Sequence, residues 1–265
     1  MQLLMETLNG AISGYLWPLC RVAALLMVMA VFGATTTPMR VRLLLSLALT
    51  VAIAPVLPPM PDIAPFSLQA VFVIAQQILI GAAMGLVTVL LVQTFVLTGQ
   101  IIGMQTSLGF ASMVDPASGQ QTPVVGNLFL LLTTMIFLAV DGHLVMIRML
   151  VASFDTLPVS TSGIVVGRYR ELADWGSYLF GAALTMSMSA IVALLLINLA
   201  FGVMTRAAPQ LNIFAIGFPI TMLSGLFVLW LTLSPVMAHF FEVWRSAQLL
   251  LCDLVNLQCR TDGRF

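Results

Sequence analysis

The sequence predicts an all-α integral membrane protein made of long helices and helical hairpins. Hydrophobic residues occupy 60% of the 265 positions and charged residues only 8%, whereas soluble domains carry roughly 25% charged residues. The mean hydropathy is +1.09. Such a chain cannot hydrate its own surface, so lipid or other proteins must cover it. The formal net charge is zero, which gives no electrostatic reason to expect nucleic acid as a partner.

Cysteine usage and the first residues add two negative expectations. Cys20, Cys252 and Cys259 show no CxxC spacing and cannot all be paired, so the sequence predicts no disulfide framework. Residues 1–16 contain Glu6 and no basic residue, so no cleaved signal peptide is predicted.

Six apolar stretches predict the helices. They cover residues 14–34, 41–57, 66–103, 124–152, 177–204 and 211–237. Because crossing the hydrocarbon core takes about 20 residues, a first interpretation gives six transmembrane helices. The third stretch contains no proline and would be over ~50 Å long as a helix, which exceeds a ~30 Å hydrocarbon core. We expect this helix to project beyond the bilayer and to pack on other protein.

Basic residues give no clear membrane orientation. Six spans would put Arg40, Arg42 and Arg206 on one side, and Arg168, Arg170, Arg245, Arg260 and Arg264 on the other. The positive-inside rule therefore does not choose a topology. Either partners set the orientation, or some of the apolar stretches do not span.

Several polar residues interrupt the apolar stretches. The charged or titratable ones are Arg21, Asp141, His143 and Arg148, and the amides are Gln76, Gln77, Gln93 and Asn198. Ionisable groups in hydrocarbon normally face a bundle interior or an aqueous path. They would therefore either line a conduit or form buried interhelix pairs, for example Asp141 with Arg21 or with Arg148. The pairing interpretation is favoured, because each charge is isolated and no relay-like series is present.

Two further patterns concern packing. Gly81–Gly85 and Gly99–Gly103 both fit GxxxG, a spacing that permits close backbone approach between helices. Residues 239–258 predict an amphipathic helix, with Phe240, Trp244, Leu251 and Leu254 on one side. Such a helix is expected at an interface or against a partner.

The 106–123 segment, which follows the longest helix, is named here the candidate plug. Its glycines and prolines prevent a continuous helix, yet it contains more apolar side chains than a loop in water. Non-helical backbone at membrane depth is tolerated only inside protein or against a cavity. The candidate gating residues are Leu108, Gly109, Phe110, Ala111, Ser112, Met113, Val114, Asp115 and Pro116. From physics alone, an ordinary interhelix loop is slightly favoured over a removable seal.

The second informative segment, residues 198–219, predicts a helical hairpin. Two apolar runs are broken by Arg206, Pro209, Gln210 and Asn212. Polar groups of this kind satisfy carbonyls at helix ends and fix a turn against neighbours. A charge-selective filter is the sharper alternative, but a single arginine gives it little support.

These two segments, LGFASMVDPASGQQTPVVGNLF and NLAFGVMTRAAPQLNIFAIGFP, closely resemble the signature regions of the FliR family of flagellar type III export-gate proteins. The resemblance implies a FliP-like part at 1–176 and a FliQ-like hairpin with a C-terminal amphipathic helix at 177–265. It also implies that the candidate plug is the family's plug loop, with Phe110 as the first candidate for the obstructing side chain. With the resemblance, the seal becomes the favoured interpretation of that segment.

The implied function is that of a non-enzymatic, pore-forming subunit of the flagellar protein export gate in the bacterial inner membrane, within the basal body. The implied partners are FliP- and FliQ-like subunits, FlhB- and FlhA-like export components, exported unfolded proteins and membrane lipid. A virulence injectisome gate subunit is the alternative, and a small-solute or proton-coupled carrier is a further one. The sequence contains no HExxH, no GxSxG and no Cys/His arrangement, so we expect no enzyme activity, no cofactor and no metal site.

Overall fold

The computed structural model describes residues 2–34, 37–61, 63, 67–106, 124–160, 167–207 and 217–259. These ranges contain helices and no strand, which confirms the all-α prediction. The helices are α1 (Gln2–Val28), α2 (Met39–Ile53), α3 (Leu68–Gln105), α4 (Val124–Ala139), α5 (Gly142–Thr156), α6 (Gly167–Ala207), α7 (Phe218–Leu233) and α8 (Val236–Val255), with a 3₁₀ turn at Ala54–Val56.

Three segments are long and apolar enough to cross a membrane on their own: Met39–Val56, Leu68–Gln105 and Arg170–Met204. The pairs α4–α5 and α7–α8 also qualify if each bent pair is one span, which gives up to five spans among the described residues. Six single spanning helices are therefore not found among the described residues, where the part of α1 from Gly14 to Val28 is a shorter apolar helix. At 38 residues, α3 has the excess length that the sequence predicted.

The bend between α4 and α5 divides the predicted 124–152 stretch. The two helices differ in direction by 62°. Asp141 adopts a left-handed conformation at this point, with φ 57°, which ends the α4 hydrogen-bond ladder. A side chain at Gly142 would lie 2.5 Å from the ring of Phe137, so the turn needs glycine there.

The chain divides into two compact units. The first contains Met1–Leu90, Phe137–Gly176 and Arg245–Phe265, and the second contains Leu91–Ile136 and Ser177–Trp244. Each unit therefore draws segments from both predicted parts, 1–176 and 177–265. That two-part division of the sequence stays a prediction.

In the first unit, one face of α3 packs closely on α1. A Cβ at Gly81 would meet the carbonyl oxygen of Arg21, and a Cβ at Gly85 would lie 2.9 Å from the Cβ of Val28. One turn further along α3, Thr88 Oγ1 accepts a hydrogen bond of 3.0 Å from the backbone N–H of Ala30. The first GxxxG motif thus allows the two backbones to approach, as predicted.

The two buried residues of helix α2 are both polar. Ser46 and Thr50 are its buried residues, and each hydroxyl donates to a carbonyl within its own helix, at 2.8 and 2.7 Å. Leucine and valine side chains point outward instead, including Leu44 at 65% exposure. This arrangement suits a helix whose outer face meets lipid or protein rather than water.

Helix α8 confirms the predicted apolar side. Phe240, Trp244, Leu251 and Leu254 are all buried, while Glu242 is exposed. The helix belongs to a bent pair with α7, at 55°, that is apolar enough to span. The sequence had favoured an interfacial helix instead.

The structure contains a single disulfide, which the absence of a predicted disulfide framework did not anticipate. Cys252 and Cys259 are disulfide-bonded, with Cα atoms 6.0 Å apart, within the usual range for such bridges. Cys20 is a free thiol. The sequence spacing gave no CxxC signal because the contact depends on how the chain turns after α8.

The glycine packing between α1 and α3 predicts a specific sensitivity to small substitutions. Gly81→Ala and Gly85→Ala should each force the helices apart and cost about 1–3 kcal/mol, as overpacking does. Gly14→Ala is the matched control, because a Cβ there meets nothing within 4 Å and alanine favours helix. Resistance of the membrane-extracted chain to limited proteolysis measures the effect. Equal resistance of the three variants would contradict the proposed packing.

Candidate functional site

Arg21 is the most deeply buried charge that the structure describes, with 0% exposure. Its Nε donates to Gln77 Oε1 on α3 at 2.8 Å. Its Nη1 donates to both the carbonyl and the hydroxyl oxygen of Ser153 on α5, each at 2.9 Å. Its Nη2 donates to the carbonyl of Leu157 at 2.8 Å. One guanidinium therefore joins three helices of the first unit.

The Arg21 contacts concentrate on the end of α5. Ser153 and Leu157 lie in and just after its last turn. The carbonyl of Ser153 accepts from the N–H of Leu157 at 2.9 Å as well as from Arg21. A cation at a helix C-terminus is also favoured by the helix dipole. The guanidinium carbon lies 4.0 Å from the ring centroid of Phe154, a cation–π distance. Arginine suits this position because its planar fork donates in several directions at once.

The expected buried pairs of Asp141 with Arg21 or Arg148 are not present. Asp141 and Arg148 are exposed and His143 is half-buried, so of the four predicted buried charges only Arg21 lies in the core of this chain. Asp141 lies at the bend before α5, whereas Arg21 contacts the opposite end of that helix. Arg21 therefore donates to backbone carbonyls, where the sequence analysis expected a carboxylate partner.

The amides divide in the same way. Gln77 is fully buried, and its Nε2 has no hydrogen-bond partner, while Gln93 and Asn198 are exposed. Gln77 is thus held by the hydrogen bond that its Oε1 accepts from Arg21. Sequence reasoning grouped these amides together because burial is not visible in a uniformly apolar stretch.

The candidate plug, apart from Thr106, lies outside the described residues, and so do its gating residues Leu108 to Pro116. The helices on either side of it are described, and both ends lie in the second unit. Thr106 is buried, and its hydroxyl donates to the carbonyl of Gly103 at 2.9 Å.

A junction of close contacts, formed by Gly99, Gly103, Thr106, Val125 and Gly225, holds both ends of the candidate plug. A Cβ at Gly99 would lie 2.8 Å from the carbonyl oxygen of Val125, and one at Gly103 would lie 3.4 Å from the Cβ of Val125. On α7, a Cβ at Gly225 would lie 2.9 Å from the Cβ of Thr106. The second GxxxG motif therefore allows the end of α3 to pack closely against the start of α4. The described residues on either side of the candidate plug are thereby held close together.

The predicted hairpin turn is described only at its start. Arg206 is exposed in the last turn of α6, where a cation is favoured by the helix dipole. Pro209, Gln210 and Asn212 lie outside the described residues. The side chain of Arg206 is thus oriented outward, where another protein can reach it.

A groove of about 280 Å³ between α6 and α8 is a feature that sequence reasoning missed. Small and apolar residues such as Gly181, Ala182 and Met186 line it, together with His239 and Glu242. His239 Nδ1 lies 3.8 Å from Glu242 Oε2. The sequence did contain a signal for this contact, because His239 and Glu242 are three residues apart and therefore lie on one face of a helix.

The Arg21 contacts predict a large loss of stability on truncation. Arg21→Ala leaves buried acceptors unpaired at about 1–3 kcal/mol each. The midpoint temperature of thermal unfolding, followed by the helical circular-dichroism signal, should therefore fall by about 10 °C. Arg21→Lys should give a smaller loss, because an ammonium group cannot reproduce the fork. Arg148→Ala, at an exposed arginine, is the control and should leave the midpoint unchanged. An unchanged midpoint for Arg21→Ala would contradict the assigned role.

Comparisons with known proteins fit the two motif segments and the helical architecture. Residues 12–247 match the family of bacterial export proteins, family 1. A flagellar biosynthetic protein FliR from Escherichia coli (strain K12) is 39% identical, over 91% of this chain and 92% of that protein. One from Pectobacterium carotovorum subsp. carotovorum is 38% identical, over 87% and 89%. A more distant one from Aquifex aeolicus (strain VF5) is 29% identical, over 84% and 87%. The expected resemblance is thereby confirmed, and the chain belongs to the FliR family of bacterial export proteins.

Proposed function

We propose that this chain is a non-enzymatic, pore-forming subunit of the flagellar type III export gate, which helps to form and seal the channel for unfolded flagellar subunits. The observation that carries the proposal is the 39% identity to a flagellar biosynthetic protein over 91% of the chain. As a FliR-family member with several helices apolar enough to span, the chain is a membrane component of the flagellar export apparatus. The finer assignment to the inner membrane and the basal body is part of the proposal.

The outward surface of α6 supports a role inside an assembly. Within its Arg170–Met204 segment, only 22% of an apolar 18-residue stretch is buried within the chain. Leu195, Leu196, Leu199 and Val203 are each at least 60% exposed. The helix is 41 residues long, about 60 Å, so lipid alone does not cover it. The partners proposed are FliP- and FliQ-like subunits on these faces and FlhB- and FlhA-like components of the same apparatus.

The proposed seal is the candidate plug. The described residues that flank it are held together by the glycine junction, which supports a plug attached at a fixed base. Leu108, Phe110, Met113 and Val114 give the loop apolar side chains, each worth roughly 1.5–3 kcal/mol when fully buried. This burial free energy is large enough to keep the loop packed in a passage, and small enough for an arriving polypeptide to displace the loop. Opening is then a shift between packed and displaced loop states.

The proposed role of Arg206 is in assembly. Its exposed position at the end of α6 makes its charge accessible to a neighbouring subunit, where a carboxylate or a set of backbone carbonyls is its natural partner. Pro209, Gln210 and Asn212 complete the same turn in the sequence. This proposal is favoured over a charge-selective filter, because a filter needs a ring of charges.

The seal is tested in the complete complex. Replacing Phe110 and Met113 with glycine should let small ions leak across the membrane, because the loop loses most of the apolar area that keeps it packed. Phe110→Leu combined with Met113→Leu is the matched control and should stay impermeable, since it keeps apolar side chains of similar size. Ion conductance of cells carrying each variant is the measurement.

Assembly is measured in the same cells by co-purification with the FliP- and FliQ-like subunits. A leak with normal co-purification supports the seal. Full impermeability of the double-glycine variant would assign the seal to another segment.

A further inference from the structure

The end of α8 is built to bring Cys259 back to Cys252. Asn256 adopts a left-handed conformation, with φ 61°, directly after the last helical residue, Val255. The N–H of Leu257 then donates to the carbonyl of Cys252 at 2.9 Å, which is the six-to-one hydrogen bond of a Schellman motif. This motif reverses the chain over the last turn of the helix. This backbone turn brings Cys259 back to Cys252.

The two sulfur atoms differ in access. Cys252 is 3% exposed, whereas Cys259 is partly exposed. An oxidant therefore reaches Cys259 first, and Cys252 completes the bond from inside. The free thiol of Cys20 lies elsewhere in the sequence and is unpaired, so the pairing of the other two is selective.

We propose that Cys252 and Cys259 are oxidised by an extracytoplasmic dithiol oxidase, and that the end of α8 therefore lies on the oxidising, outer side of the membrane. Stable protein disulfides form in such compartments and are rare in the cytosol of most bacteria. The inference requires only that the chain spans a membrane, and it does not depend on the proposed export function. It supplies the orientation that the arginine distribution left undecided.

The chemistry is thiol–disulfide exchange. The thiolate of Cys259 attacks the disulfide of the oxidase and forms a mixed disulfide, which releases one oxidase thiolate. The thiolate of Cys252 then attacks the sulfur of Cys259, which forms the intramolecular bond and releases the second oxidase thiolate. Two electrons pass to the oxidase, and the two protons lost by the cysteines balance its reduced dithiol.

Contacts within the first unit extend the assignment to neighbouring helix ends. Thr156, the last residue of α5, donates through its hydroxyl to the carbonyl of Val255. Near the start of α6, Trp175 Nε1 donates to Ser246 Oγ at 3.4 Å. The end of α5, the start of α6 and the end of α8 thus form one end of this unit, which faces outward.

Counting free thiols tests the proposal. Cells producing the full chain with its partner subunits are quenched in acid, denatured, and treated with a maleimide carrying a polyethylene glycol chain, with and without prior reduction. One adduct per chain before reduction and three after it are expected. Cys20→Ser is the matched control and should give none before reduction and two after it, while Cys252→Ser should give two in both conditions.

The oxidase is tested by repeating the count in a strain that lacks its extracytoplasmic dithiol oxidase. The expected result there is three adducts before reduction. Three adducts before reduction in the normal strain would overturn the proposal, and so would a single adduct in both strains, because the bond would then form without the oxidase. None of these outcomes bears on ion leakage or co-purification, so failure here leaves the proposed export function untouched.

Discussion

The first unit depends on one constraint, which is that the guanidinium group of Arg21 must find hydrogen-bond acceptors inside an apolar helix bundle. Arg21 meets it with acceptors from two other helices, Gln77 on α3 and the carbonyls at the end of α5. One turn after Gln77, Gly81 lets α3 approach the carbonyl of Arg21 itself. The same residue thus sets the spacing of α1 and α3 through its backbone and their register through its side chain. An unsatisfied cation there would cost far more than any apolar contact gains, so the charge specifies the arrangement of the three helices.

The second unit uses close glycine packing where the first uses a charge. Gly99 and Gly103 on α3 admit α4, and Gly225 on α7 admits Thr106. Glycine at these positions buries no side chain of its own. It does allow the helix backbones to approach and to make van der Waals contact along their length. The consequence is that the described residues flanking the candidate plug are held close together. The proposed seal would require this, because its ends must stay fixed while its apolar side chains are displaced.

The sequence was sufficient for the fold class, because apolar runs of this length have few other solutions. It was insufficient wherever the outcome depended on one backbone conformation or on a distant partner. Asp141 is left-handed within an apolar stretch, and sequence reasoning interpreted Asp141 and His143 as candidate buried charges rather than as the break between α4 and α5. Arg21 was expected to seek a carboxylate, whereas its acceptors are carbonyls whose position follows only from tertiary packing. The pairing of Cys252 with Cys259 depends on the left-handed Asn256. The motifs at 106–123 and 198–219 identified the family without geometry, and their roles rest on proposals.

The central claim is that other subunits cover the apolar faces of this chain, including the outward leucines of α2 and α6. Size-exclusion chromatography with circular dichroism tests it most directly, on the chain purified in one detergent either alone or with its FliP- and FliQ-like partners. We expect aggregated or poorly helical material from the chain alone and a monodisperse, fully helical complex with the partners, because lipid-like detergent does not replace protein contacts on helices longer than the bilayer. A monodisperse, fully helical monomer from the chain alone would contradict the account.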